Sequence, residues 1–200
     1  LCQHGAARDI LCDAHPHIGT DRLPRIIERM RQQIIASGGE VHFNSRVDAL
    51  LIQGDEVHGV RTADGREYQG PVILATGHSA RDVFSMLKSR NVQMIRKPFS
   101  VGVRIENLQS DINRALYGEN ADNPALSAAD YKRAGDLVSG RGVDTFCLCP
   151  GGEVINASSK TGGLCVNCMS NSRRDGINAN SAVLVGVNPE DLPGEDVLSG

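Results

Sequence analysis

A continuous apolar run at residues 71–75 constrains the fold of this chain more than any other feature of its sequence. The run reads Pro-Val-Ile-Leu-Ala, without the alternation of apolar and polar residues that marks a strand with one exposed face. Strands of this kind are typically buried on both faces by helices, as in parallel sheets. Thr76-Gly77 ends the run, and Ser79 followed by Asp82 has the pattern of a helix N-cap. We therefore predict an α/β fold with a parallel sheet, in which this strand leads directly into a helix.

The residues before this strand predict a helix and a β-meander. Apolar residues at helical spacing indicate a helix over residues 20–37, capped by Thr20 or Asp21 and ended by Gly38-Gly39. Hairpin turns are indicated at Gly54-Asp55 and Asp64-Gly65. The strands predicted in this half lie at residues 40–43, 47–53, 57–62 and 67–68, and the last three form the meander.

The sequence pattern changes after Lys97-Pro98. Val101, Val103 and Ile105 alternate with glycine or charged residues, which predicts a strand with one polar face. A helix is predicted at residues 109–117, and further strands are predicted at residues 143–149, 153–158 and 164–169. We therefore place a domain boundary near residue 98, with a mixed α+β domain after it.

Charge and composition argue against several classes of partner. The net charge is −3 and there are four Phe, three Tyr and no Trp, so neither a basic surface nor a stacking platform for nucleic acid is indicated. No run approaches the roughly 20 apolar residues that cross a bilayer. The first residues, Leu1 to Gly5, do not resemble a signal peptide. We predict a cytoplasmic protein with free thiols and a small-molecule substrate, and the sequence indicates no oligomeric state.

Six stretches carry a resemblance to a known family: residues 16–21, 38–43, 72–82, 97–106, 147–152 and 178–182. They resemble a family of bacterial FAD-dependent dehydrogenases among the two-dinucleotide-binding-domain flavoproteins. The resemblance implies that residues 1–97 form the second half of an FAD-binding domain, with part of its parallel sheet and its β-meander. It implies that residues 98–200 belong to a mixed α+β substrate domain.

The sequence departs from this family at the phosphates of the cofactor. The expected Gly-x-Gly-x-x-Gly loop is absent, and so is the glycine-rich segment that closes over the flavin. We therefore expect an internal fragment of a longer protein, and we expect that this chain alone does not retain FAD.

The resemblance places cofactor contacts at two segments. Arg46-Val47 begins the meander, and in similar flavoproteins the backbone at the position of Val47 meets the adenine. Ala75, Thr76 and Gly77 lie at the carboxyl end of the predicted buried strand, where ligands bind in open α/β sheets. The alternative interpretations are an ordinary strand valine and a plain strand-to-helix turn.

Three residues are candidates for catalysis. His78 precedes a predicted helix and could move a proton near a flavin, although a loop histidine often only contacts solvent. Arg104 lies on the polar face of its strand and could hold a carboxylate substrate, or pair with Glu106. Cys149, with Cys147 on the same predicted strand face, could pass electrons next to a flavin, or both could be buried apolar residues.

The segment after Cys149 is a further candidate. Pro150, Gly151 and Gly152 could present free backbone N–H groups to the flavin, across a cleft from Gly77, or could form only a hairpin turn. The spacing of Cys147, Cys149, Cys165 and Cys168 also resembles a zinc ribbon. Residues three apart on a strand point to opposite faces, so Cys165 and Cys168 should diverge, and we expect no zinc.

These features together predict an FAD-dependent oxidoreductase that transfers electrons or hydride between the flavin and a substrate. NAD(P)H is a candidate reductant by analogy. Two alternatives belong to other classes: a zinc-stabilised binding module that uses the four cysteines, and a flavoprotein that acts on RNA.

Overall fold

The structure is a computed structural model that describes residues 1–194 and 196–198. Its elements in chain order are α1 (Leu23–Ala36), β1 (Val47–Gln53), β2 (Glu56–Thr62), β3 (Glu67–Gln69), α2 (Arg81–Ser89), β4 (Phe99–Leu108), α3 (Gln109–Tyr117), β5 (Ala134–Asp136), β6 (Gly142–Cys149), β7 (Gly152–Asn156), β8 (Val166–Ser170) and β9 (Asn178–Val187). The chain forms two compact units. Unit 1 contains residues 1–39 and 98–187, and unit 2 contains residues 40–97 and the described residues from 188 onwards.

Unit 2 is built on the predicted meander. Strands β1, β2 and β3 form an antiparallel sheet in that order, with turns at the two predicted hairpins. Ala49 and Leu50 of β1 are buried, and α2 contributes the buried Val83. Helix α2 packs against β1, so the small core of this unit lies between one helix and one face of the meander.

The predicted parallel sheet is not found. Residues 71–75 and 40–43 form no strand in the described chain, and the side chains of Ile73 and Leu74 are 93% and 49% exposed. A strand requires a hydrogen-bonding neighbour. β3, the strand nearest in sequence, pairs with β2 on one edge, and residues 71–75 do not pair with its other edge. All sheets of the described residues are antiparallel, so the mixed α and β class is confirmed and the parallel arrangement is not.

Unit 1 is built around β9, a strand that the sequence patterns did not predict. The four-stranded sheet has the order β4-β9-β6-β5, and β9 pairs with β4 from Phe99–Val187 to Leu108–Asn178. The centre of β9 is buried from Ala179 to Ala182. Strands β7 and β8 form a separate antiparallel pair, and α1 and α3 belong to the same unit.

The start of α1 is tied to the end of β8. Helix α1 begins at Leu23 without a side-chain cap, so the predicted capping by Thr20 or Asp21 is wrong. Thr20 Oγ1 donates a hydrogen bond to the Ser170 carbonyl (3.1 Å). The Asp21 carboxylate accepts hydrogen bonds from the N–H (2.7 Å) and Oγ (2.8 Å) of Ser172. These bonds to Ser172 lower the pKa of Asp21 below its ordinary value, with the side-chain bond contributing most.

The lowered pKa of Asp21 predicts a pH-dependent contribution to stability. Because the folded state favours the carboxylate, this contribution is present above the unfolded pKa and is lost as the pH falls below about 4. We expect Asp21→Asn to lower the unfolding temperature at pH 7 and to have progressively less effect towards pH 3. Thermal unfolding at both pH values measures this, with Asp122→Asn on an exposed loop as the control. If Asp21→Asn lowers the unfolding temperature by the same amount at pH 7 and at pH 3, the interpretation is contradicted.

Candidate functional site

A cavity of about 320 Å³ lies in unit 2, beside the meander. Its walls are mostly apolar and come from the meander, from the segment after β3 and from α2. Lining residues include Val47, Leu50, Val60, Val72, Thr76 and Val83. Ligand pockets usually measure roughly 300–1,000 Å³, so this cavity suits one part of a dinucleotide rather than all of it.

The two predicted cofactor segments meet at this cavity. Val47 and Thr76 line it, although 29 positions separate them in the sequence. Gly77 follows Thr76 but does not itself line the cavity. It has φ +75°, and apart from its chain neighbours no atom lies within 4 Å of the position that a Cβ would take there. Ala75 is exposed and does not line the cavity. The structure thus assembles part of the predicted set, while contact of any of these residues with a cofactor stays a prediction.

Arg46 and His78 lie close to this region but have other partners. Arg46 forms an ion pair with Asp82 in the first turn of α2, with Nη2 2.8 Å from the carboxylate. His78 Nε2 lies 3.2 Å from Ser79 Oγ and lines a second cavity of unit 2, of about 710 Å³. Helix α2 begins at Arg81 after Ala80, so the predicted capping by Ser79 is wrong.

Arg104 of unit 1 donates hydrogen bonds to a backbone group and to a side chain on neighbouring strands of its own sheet. Its Nη1 donates to Asn180 Oδ1 (2.7 Å) on β9 and to the carbonyl of Cys147 (3.1 Å) on β6. Glu106 instead accepts a hydrogen bond from the backbone N–H of Val154 (3.4 Å). Arg104 therefore fixes the end of β6, and its predicted substrate contact stays a prediction.

The segment from Pro150 to Gly152 is buried and its backbone is already engaged. The Gly151 N–H donates to Gln109 Oε1 (2.9 Å), and the Pro150 carbonyl accepts a hydrogen bond from Ser170 Oγ (2.7 Å). Gly152 begins β7 opposite Ser170. The predicted free N–H group is therefore not found at Gly151, because Gln109 at the start of α3 accepts its hydrogen bond. A contact of this segment with flavin stays a prediction.

The cysteines form an arrangement that the sequence did not reveal. Cys149 and Cys168 are joined in a disulfide between β6 and β8, which corrects the expectation of free thiols for these two. The sulfur of the free Cys147 lies 4.0 Å from that of Cys168, and all three sulfur atoms lie within 4.8 Å of one another. We call these three residues the sulfur cluster. Cys165 precedes β8 and is not part of it, so the four-cysteine zinc site is not assembled.

The fold and the two sites described above define a protein of the mixed α and β class. One unit has a meander beside an apolar cavity, and the other has the sulfur cluster. A sequence model described as "FAD-dependent protein, C-terminal domain-like" matches residues 98–200, just over half of the chain. The chain belongs to this family of FAD-dependent proteins.

Two relatives extend the comparison. The chain is 40% identical over 201 positions to an "Uncharacterized protein" of Clostridium beijerinckii; the match covers 100% of this chain and 38% of that protein. It is 32% identical over 66 positions to the 4,4'-diapophytoene desaturase (4,4'-diapolycopene-forming) of a Methylomonas species, covering 33% of this chain and 13% of the desaturase. The chain therefore spans little more than a third of the Clostridium relative. No helix in the described part of the chain is both long and apolar enough to cross a membrane.

Proposed function

We propose that this chain is part of an FAD-dependent oxidoreductase and that the cavity of unit 2 receives the adenine end of FAD. The observation that carries the proposal is that Val47 and Thr76, from two predicted cofactor segments that are distant in the sequence, line one apolar cavity. Membership of an FAD-dependent family supports the choice of cofactor. The match to a protein named as a desaturase supports the oxidoreductase class.

The residues of this cavity suit a flat, largely apolar ring. Apolar walls exclude water from the bound ring, and Val47 lies in the lining of the cavity. Gly77 leaves open space beside its Cα, so the backbone can approach the nucleotide closely. When bound, the flavin supplies the electron-transfer chemistry and the protein supplies orientation.

Other parts of the function remain predictions. The catalytic roles of His78, Arg104 and Cys149, the small-molecule substrate and NAD(P)H as reductant rest on residue chemistry and analogy. The volume of the cavity suits only part of FAD, and the sequence has no glycine-rich phosphate loop. We therefore expect weak binding of FAD to this chain, without retention of flavin through purification.

Nucleotide titration of the ¹⁵N-labelled chain tests the proposal. We expect FAD and ADP to shift the backbone amide signals of residues 46–47 and 76–77, whereas FMN, which lacks adenine, leaves them unchanged.

Gly77→Val should weaken FAD binding by about tenfold or more, because a branched side chain obstructs the close approach. The matched control is Gly162→Val in unit 1, where φ is also +75° and the space beside the glycine is also open. Shifts with FMN but not with ADP, or unchanged binding by a folded Gly77→Val chain, would refute the adenine assignment.

A further inference from the structure

We propose that Cys147, Cys149 and Cys168 form a thiol–disulfide exchange centre that reacts with small anionic thiols and disulfides. The centre lies in unit 1, whereas the proposed adenine cavity lies in unit 2. The proposal does not depend on FAD binding, because it rests only on the sulfur cluster and its surroundings.

The exposure of the three cysteines gives each a different role. Cys149 and Cys168 are half-buried and share the disulfide, while Cys147 is exposed and free. The 4.0 Å separation between the sulfurs of Cys147 and Cys168 is close to contact distance. Attack by a thiolate on a disulfide sulfur requires such proximity and an approach along the disulfide bond, which the exposed Cys147 would reach by rotation about χ1. Cys147 can therefore move the disulfide from a half-buried position to the surface.

The backbone at Cys147 of the sulfur cluster has a strained conformation. Among described non-glycine residues, positive φ occurs at Cys147 (+51°), Arg174 (+55°) and two asparagines. Asparagine tolerates this conformation, whereas Cys and Arg rarely adopt it. Cys147 lies in an irregularity of β6 between Phe146 and Cys149, and Arg104 holds its carbonyl (3.1 Å). Strain of this kind concentrates at functional sites, and here both strained residues line one cavity.

That cavity, of about 380 Å³, has the charge to attract an anion. Lys132 and Arg174 line it, together with Cys147 and Cys149, and its one acidic residue, Asp130, lies 3.2 Å from Nδ1 of His15. The Nε atom of Arg174 is buried and has no hydrogen-bond partner among the described residues. A buried donor without a partner is costly. Arg174 also gives the cavity a positive charge that would attract the carboxylate of a thiol compound. The volume fits a small molecule.

The exchange balances without an added oxidant. The Cys147 thiolate bonds to the sulfur of Cys168, the Cys149–Cys168 bond breaks, and Cys149 leaves as a thiolate. A thiolate from solution then attacks the exposed Cys147, forming a mixed disulfide and releasing Cys168 as a thiolate. A second thiol displaces Cys147, giving a low-molecular-weight disulfide. Two electrons pass to the protein disulfide, and the two protons of the thiols are taken up by Cys149 and Cys168.

Disulfide mapping of the unaltered chain is the first test. The chain is quenched in acid, its free thiols are alkylated, and its peptides are analysed by mass spectrometry. We expect two isomers, Cys149–Cys168 and Cys147–Cys168, with Cys165 alkylated in both. Detection of the Cys149–Cys168 bond alone, before and after incubation with glutathione, would overturn the proposal.

Reduction kinetics with glutathione form the second test. We expect Cys147→Ser to slow reduction of the Cys149–Cys168 bond by about tenfold or more, because a neighbouring thiol acts at a high effective concentration. Cys165→Ser, also a free and exposed cysteine, is the matched control and should leave the rate unchanged. An unchanged rate in Cys147→Ser would overturn the relay. The relay would also be overturned if the reduced chain bound about one zinc through the sulfur cluster and no longer exchanged with thiols.

Charge selectivity tests the choice of substrate. Lys132→Gln should slow the reaction with glutathione, an anionic thiol, more than the reaction with neutral 2-mercaptoethanol. Lys160→Gln, outside the cavity, should affect neither reaction. If Lys132→Gln slows the reactions with both thiols equally, anionic compounds are not the preferred substrates.

Discussion

Gly151→Ala is expected to lower the free energy of unfolding by roughly 2–5 kcal/mol. Gly151 is buried with φ +58°, a conformation that costs a non-glycine residue about 1–2 kcal/mol. A Cβ at this position would also overlap the carbonyl of Arg174, which is backbone and cannot rotate away. Overpacking of this kind costs about 1–3 kcal/mol more. Denaturant unfolding measures the loss. Because Arg174 lines the cavity of the sulfur cluster, the variant should also react more slowly with glutathione.

Gly162→Ala separates the two causes. Gly162 has φ +75°, and no atom lies within 4 Å of its Cβ position, so the variant carries the conformational cost without the overlap. We expect a loss of only about 1–2 kcal/mol. Equal losses in the two variants would show that the close approach of Gly151 to Arg174 contributes nothing.

Ile26→Ala is expected to lower the free energy of unfolding by about 2–5 kcal/mol. Ile26 is the one buried residue of α1, with 2% of its surface exposed. Removing its side chain loses apolar burial and leaves a cavity, and both effects destabilise the folded state. Asp21, just before the start of α1, accepts a hydrogen bond from Ser172. We expect the first residues of α1 to become less ordered as well when the helix loses its buried contact.

Its neighbour Ile27 is the matched control. Ile27 has the same side chain on the same helix but is 52% exposed. We expect Ile27→Ala to change the free energy of unfolding by no more than about 0.5–1 kcal/mol. The amide hydrogen exchange of α1 should increase in Ile26→Ala and remain unchanged in Ile27→Ala. Similar losses in both variants would contradict the assignment of Ile26 to the core.

Local patterns predicted many of the elements. The meander and α3 lie within one residue of their predicted positions, and β4 contains the predicted alternating segment, because turn residues and apolar spacing mark these elements within a few residues of the chain. Strand β9 was missed although it is central to the sheet of unit 1. Its buried Asn180 and Ser181 break the apolar pattern, and their burial depends on partners from other strands.

The candidate sites divide in the same way. The sequence marked Val47 and Thr76 as related to one ligand, and both line one cavity. It gave no signal for the disulfide between Cys149 and Cys168, since the spacing of cysteines does not specify their pairing. It also could not show that Gln109 engages the N–H of Gly151, because that bond joins residues 42 positions apart.

The sequence by itself determined the meander and the helices, because hydrophobic period and turn chemistry act over short distances. The family was indicated by the resemblance of six stretches, not by these patterns. Tertiary structure alone decided how strands pair. The run at residues 71–75 has the composition of a buried strand, but a strand forms only through hydrogen bonds to a neighbouring strand, and residues 71–75 pair with no strand in the described part of the chain. In the same way, the packing of β6 against β8 decided which cysteines meet, since side chains from separate strands become neighbours only when their backbones are fixed.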